Sequence, residues 1–92
     1  MHEEAMLKDL VREAEAVARR EGAHRVRRVR LWVGARSHLA GPEFQDRWAH
    51  AVQGTSLAAA EVDIETSTDP ADPRAERLVL QSLDIDTDSE RA

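Results

Sequence analysis

Between Glu3 and Glu21 the apolar residues fall at Met6, Leu7, Leu10, Val11, Ala14, Val17 and Ala18. Spacing of three and four lays them along one side of an α-helix and predicts a first helix of about five turns. Gly22 follows the last periodic residue as a left-handed stop, with Arg19 and Arg20 near the negative end of the helix dipole. The segment HRVRRVRLWVGARS changes period: Val29, Leu31 and Val33 alternate with Arg28, Arg30 and Trp32. That is the pattern of a strand with one buried face, and Gly34 ends it. Pro42 stands where a helix can begin, and Phe44, Trp48, Ala51 and Val52 make a second, shorter stripe closed by Gly54. In AEVDIET, Val62 and Ile64 oppose Glu61, Asp63 and Glu65, which predicts a second strand. STDPADP holds two prolines among Asp and Ser and is turn chemistry. RLVLQSLDID reads as the third strand, with Leu83 and Ile85 opposed to Asp84 and Asp86. Leu78 and Leu80 have the other parity, so a bulge or register change is expected near Gln81 and Ser82.

The order helix, strand, helix, strand, strand predicts an α+β, two-layer fold, with two helices on one face of a small three-stranded mixed sheet. A single domain is expected over residues 1–86, with a short connection at 67–75 and a frayed polar tail at 87–92. Strand order follows from charge. With the first strand in the middle, Arg28 and Arg30 face Asp63 and Glu65 on one side and Asp84 and Asp86 on the other, and opposite charges across strands stabilise the pairing. The connection has the reach for this: at ~3.3 to 3.6 Å per residue, about ten residues cross the ~10 Å over a central strand. Val29, Leu31, Val33, Val62, Ile64, Leu83 and Ile85 then form the sheet side of a core under Leu7, Leu10, Val11, Ala14, Phe44 and Trp48. A hairpin of the second and third strands would contradict the charge argument.

The 92 residues suffice for one small core. The chain has no cysteine, which removes disulfides and thiolate zinc sites. No apolar run approaches membrane-spanning length and no signal peptide is legible, so no membrane contact and a cytoplasmic location are expected. Arg19, Arg20, Arg25, Arg27, Arg28, Arg30 and Arg36 cluster, but the net charge is −5 and the arginines have acidic strand partners. Nucleic acid, which needs excess positive charge, is not an expected partner.

The opening MHEE carries the one pattern with metal chemistry. The amine of Met1, the amide nitrogen of residue 2 and the His2 imidazole can close two adjacent chelate rings on one ion, with Glu3 next in line. Such nitrogen-rich, square-planar coordination suits Ni(II) or Cu(II) rather than structural zinc. Beside it stands a plainer reading, a solvated helix start with its acids on the positive end of the dipole. His24, in the turn before the first strand, His38, in the loop after it, and His50, on the second helix, have no recurrent ligand spacing. His38 draws attention because functional residues collect in such loops. Trp32 has outward parity and reads either as an exposed interaction anchor or as a ring packed over its arginine neighbours. Ser37, Ser56, Ser67 and Ser82 lack a His and acid arrangement, and no Gly-rich phosphate loop is present, so an enzyme is not expected.

MHEE, GAHRVRRVRLWVGARS, VDIE and ERLVLQSLDID together resemble the HypA/HybF family of [NiFe]-hydrogenase nickel-incorporation proteins, over nearly the whole chain. The resemblance implies a nickel domain that binds Ni(II) transiently through Met1, His2 and Glu3. It implies delivery to a hydrogenase large subunit, with the pathway's GTPase as a further partner. Family members carry a cysteine-bearing zinc domain between the second and last strands; here STDPADPRA stands in its place, so no zinc is expected. Because that module is missing, a second function is also open: a metal-independent adaptor that docks on a hydrogenase subunit or maturation factor through Trp32 and His38.

Overall fold

A computed structural model describes residues 2–87, with the side chains of His2 and Glu3 outside the description. Met1 and the tail at 88–92 lie outside the described residues, and with them the expectation of fraying. Helix α1 runs His2–Arg20, strand β1 Ala23–Val33, helix α2 Phe44–Ala51, strand β2 Glu61–Thr66 and strand β3 Leu78–Thr87. These are the expected elements in the expected order. Gly22, at φ 75°, gives the left-handed turn that leaves α1, and its N–H donates to the Arg19 carbonyl at 3.1 Å.

The sheet order is β2-β1-β3, parallel between β1 and β2 and antiparallel between β1 and β3. β1 is therefore the middle strand of a mixed sheet. α1 packs on β3 and β1 and touches α2, so both helices share a layer. Val29, Leu31 and Val33 are fully buried beneath Leu7, Leu10, Val11, Ala14, Phe44 and Trp48. Val62, Ile64, Leu78, Leu80, Leu83 and Ile85 complete the sheet side while staying half-buried. Arg30 pairs with Ser82 and Leu31 with Leu80. Gln81 is skipped, and this bulge gives the two halves of β3 one inward face.

Three features differ from the expectation. First, β1 carries irregularities of its own. Val26 pairs with Ile85 and Arg28 with Asp84, so Arg27 is skipped and Val26 turns inward to 4 % exposure although its parity opposes that of Val29. His24 lies within β1, not in the turn before it. Second, the segment after α2 contributes core. Leu57 is fully buried, and the Glu15 carboxylate accepts bonds from the Ser56 N–H at 3.1 Å and hydroxyl at 3.2 Å, tying this turn to α1. Third, the register shifts the ion pairs. Arg28 donates to Asp63 and to Glu61 at 2.7 Å each, and Arg30 reaches Asp63 at 3.7 Å and Asp84 at 3.6 Å. Glu65, expected opposite the arginines, sits beside Trp32 instead. Asp86 lies 3.1 Å from Arg27 and 4.0 Å from Arg25 because the β1 bulge brings those residues to it. The hydrogen bond and charge of Asp63, followed by the charge of Glu61, raise the Arg28 pKa.

The chain passes from β2 to β3 over the end of β1 and is bonded to it on the way. Ser67 donates to the Val33 carbonyl at 2.8 Å, Arg36 to that of Ala75 at 2.7 Å, and Gly34 to that of Arg77 at 2.8 Å. Most of the connection is exposed, but its last residue, Ala75, is 2 % exposed and lies against Gly34. A methyl group at Gly34 would overlap the Ala75 carbonyl, whereas one at Gly41 would meet nothing within 4 Å. Gly34→Ala is expected to cost about 1 to 3 kcal/mol by overpacking against backbone. Urea midpoints for Gly34→Ala and for Gly41→Ala, which should stay near wild type, check this.

Candidate functional site

α1 begins at His2. The first four N–H groups of a helix have no acceptor inside it. The amide nitrogens of His2 and Glu3 are therefore not committed to the helix ladder. Beyond them Glu4 and Lys8 are exposed on α1, and Leu7 between them is buried. These three residues meet Asp46, Arg47, His50 and Ala51 of α2 around an open depression of about 230 Å³. His50, without ligand spacing in the sequence, thus stands beside the start of α1. The cue available was that Asp46 and His50 lie four apart on one helix face.

Of the expected site residues, Met1 lies outside the described residues, and of His2 and Glu3 only the backbone is placed. Among the described residues no group of three or more His, Asp or Glu is arranged to hold a metal ion. His38 is exposed in the turn after β1 and lines a second depression, of about 260 Å³, with Pro42 and Phe44; Arg47 borders both depressions. Ser37 is buried, and its hydroxyl accepts the Leu39 N–H at 3.1 Å, which shapes this turn.

Trp32 is not an exposed anchor. It faces away from the helices, is 8 % exposed, and lies under the Arg74 guanidinium, 4.6 Å from the ring centroid. Packing under an arginine was the alternative reading, but the arginine comes from the β2–β3 connection rather than from β1. Arg74 is held in turn by Asp72, whose carboxylate accepts the Arg74 backbone N–H at 2.7 Å. That bond, and then the Arg74 side chain, lower the Asp72 pKa. The sheet separates Trp32 from the start of α1, so the two candidate regions do not form one site.

The family model described as hydrogenase/urease nickel incorporation, metallochaperone, hypA matches residues 1–72. The chain belongs to the HypA family. Its role is that of the family, nickel delivery in hydrogenase maturation. The fold agrees with a HypA structure: the chain is similar to the solution structure of the Ni metallochaperone HypA from Helicobacter pylori, with a TM-score of 0.75 at 16% identity. That match covers 92% of this chain and 97% of the other. A comparison with curated proteins finds no match. None of the described helices is long and apolar enough to cross a membrane.

Arg74→Ala is expected to uncover Trp32 alone, since Trp48 lies in the core on the other face. Acrylamide quenching should rise and emission shift red, with a stability loss of about 0.5 to 1 kcal/mol for an exposed cation–π contact. The Asp72 pKa is lowered on folding, so its contribution is present above the ordinary aspartate range and lost as pH falls through the lowered value. The Asp72 carboxyl should titrate below the ordinary aspartate range in an NMR pH series.

Proposed function

We propose that the chain carries Ni(II) at its amino end, on the Met1 amine, the amide nitrogen and imidazole of His2, and Glu3, and hands it to a hydrogenase large subunit. The pathway's GTPase is a further partner, and the site of action is the cytoplasm. In this reading the protein is a carrier and not a catalyst. It binds no zinc, and the connection at 67–75 takes the place of the family's zinc module within one nickel domain.

The observation that carries the reading is the start of α1 at His2 in a HypA-family chain. A helix that begins there leaves the first amide nitrogens without internal acceptors, so a metal can take them without breaking a helical hydrogen bond. An amine, an amide nitrogen and an imidazole make the donor set that Ni(II) prefers in a tetragonal field. The depression beside Glu4 leaves room for an accepting ligand to approach. Trp32, one of the two residues on which an adaptor role rested, is covered by Arg74, which leaves that alternative only the exposed His38.

Isothermal titration of untagged protein with Ni(II) tests the site. Wild type should bind one equivalent and His2→Ala should bind at least about tenfold more weakly, with circular dichroism checking that the variant is folded. Equal binding by both proteins would remove the assignment.

A further inference from the structure

β3 is an edge strand. Among the described residues it pairs only with β1, so no further strand lies along the outer side of residues 78–86. Leu78, Leu80, Leu83 and Ile85 face the helix layer and pack on the core, yet each is only half-buried. α1 packs on β3, yet a groove of about 340 Å³ stays open between them along this edge. Met6, Leu10, Leu78, Val79 and Leu80 line it, with Asp9 and Glu13 of α1 and Arg77 at its rim.

The strand is also self-complementary. With Gln81 bulged, Leu78 and Leu80 share a face with Leu83 and Ile85, so RLVLQSLDID places its inward apolar residues symmetrically about the bulge. Antiparallel pairing with an identical strand, centred between Gln81 and Ser82, sets Leu78 opposite Ile85 and Leu80 opposite Leu83. The same register sets Val79 opposite Asp84 and Arg77 opposite Asp86. Every pair then lies on one face, as an antiparallel ladder requires. Other registers lose this match. A shift of two residues one way puts Leu80 against Gln81, and two the other way puts Leu78 against Thr87. Centring on the second half of the strand sets acid against acid at Asp84 and Asp86, and centring on the first half leaves a ladder of only a few residues.

We infer that the β3 edge docks a second copy of this chain, the two β3 strands pairing antiparallel about a twofold axis between Gln81 and Ser82. The contact is isologous and closed, so it yields a dimer with one six-stranded sheet and no further growth through that edge. The bulge interrupts the ladder at the axis, and the main-chain bonds come from residues 78–80 of each copy against 83–85 of the other, the Arg77 backbone being already bonded to Arg74 and Gly34. Burial of the half-covered leucines drives the contact, and Arg77 joins Arg25 and Arg27 around the Asp86 carboxylate of the second copy. The inference is independent of the nickel site.

Sedimentation equilibrium on the untagged full chain, from about 1 to 300 µM, tests it through a pair of substitutions at Val79. Both Val79→Asp and Val79→Lys lose the same outward contact beside Trp32, but they present opposite charge to Asp84 of the second copy, twice per dimer. Wild type should fit a monomer–dimer equilibrium. Val79→Asp should weaken it by about tenfold or more, since like charges directly opposite destabilise a ladder, and Val79→Lys should keep it. Circular dichroism should show both variants folded; if either is not, Arg77→Asp, which sets acid against Asp86, takes its place and should weaken the dimer equally. A wild type that stays monomeric throughout, or a dimer that tolerates Val79→Asp or Arg77→Asp as well as Val79→Lys, overturns the inference.

Discussion

Everything in this fold is referred to its middle strand. β1 accepts β2 in parallel on one side and β3 in antiparallel on the other, and it is the only strand whose inward residues are wholly covered. A parallel neighbour requires a crossover, which α2 and the turns after it supply in the helix layer. A neighbour on the far side requires the chain to cross back over the end of β1, which residues 67–77 do. Because that crossing touches Gly34 and Trp32, the connection becomes a fastened part of the outer face. Arg28 at the centre of the outer face then meets carboxylates from both neighbours, with Glu61 and Asp63 within hydrogen-bond distance and Asp84 at 4.0 Å. One strand position thus sets the connection, the charge pattern and the helix layer together.

For function, the consequence is a rigid body with a usable end. α1 is held by β1, β3, α2 and the Ser56 turn. If the proposed donors at the start of α1 hold the metal, they can be offered to an acceptor without opening the domain, which suits a carrier that must both hold and release it. A site buried in the core would require unfolding for each transfer.

Helix α1, the order of elements and the bulge in β3 were legible because each is written in local periodicity: the parity change between Leu80 and Leu83 needs an extra residue whatever the partner is. The strand order was legible from charge, and Arg28 meets Asp63 and Asp84 as expected, but Glu61 takes the place of Glu65 because a sequence carries sign and alternation but not register. Val26 was not legible as core, since Arg27 and Arg28 give no sign of which one is skipped. Trp32 defeated local reading for a different reason: its cover, Arg74, lies 42 positions away in a proline-rich stretch that by itself signals only a turn. Leu57, in a segment without period, became core through long-range packing alone. Of the candidate site, the proposed nickel donors are read from the opening residues and the family, whereas the nearness of His50 to Glu4 appears only once α1 and α2 are packed together.

The central claim is that nickel sits at the start of α1 on a domain that does not rearrange around it. Amide chemical-shift mapping of the isotopically labelled, untagged protein during addition of one equivalent of Ni(II) tests it most directly. Perturbations should be confined to the first two turns of α1 and to Asp46–Ala51 across the depression, with β1 and β3 unmoved. Perturbations centred on His24 or His38, or spread through the sheet, would contradict it.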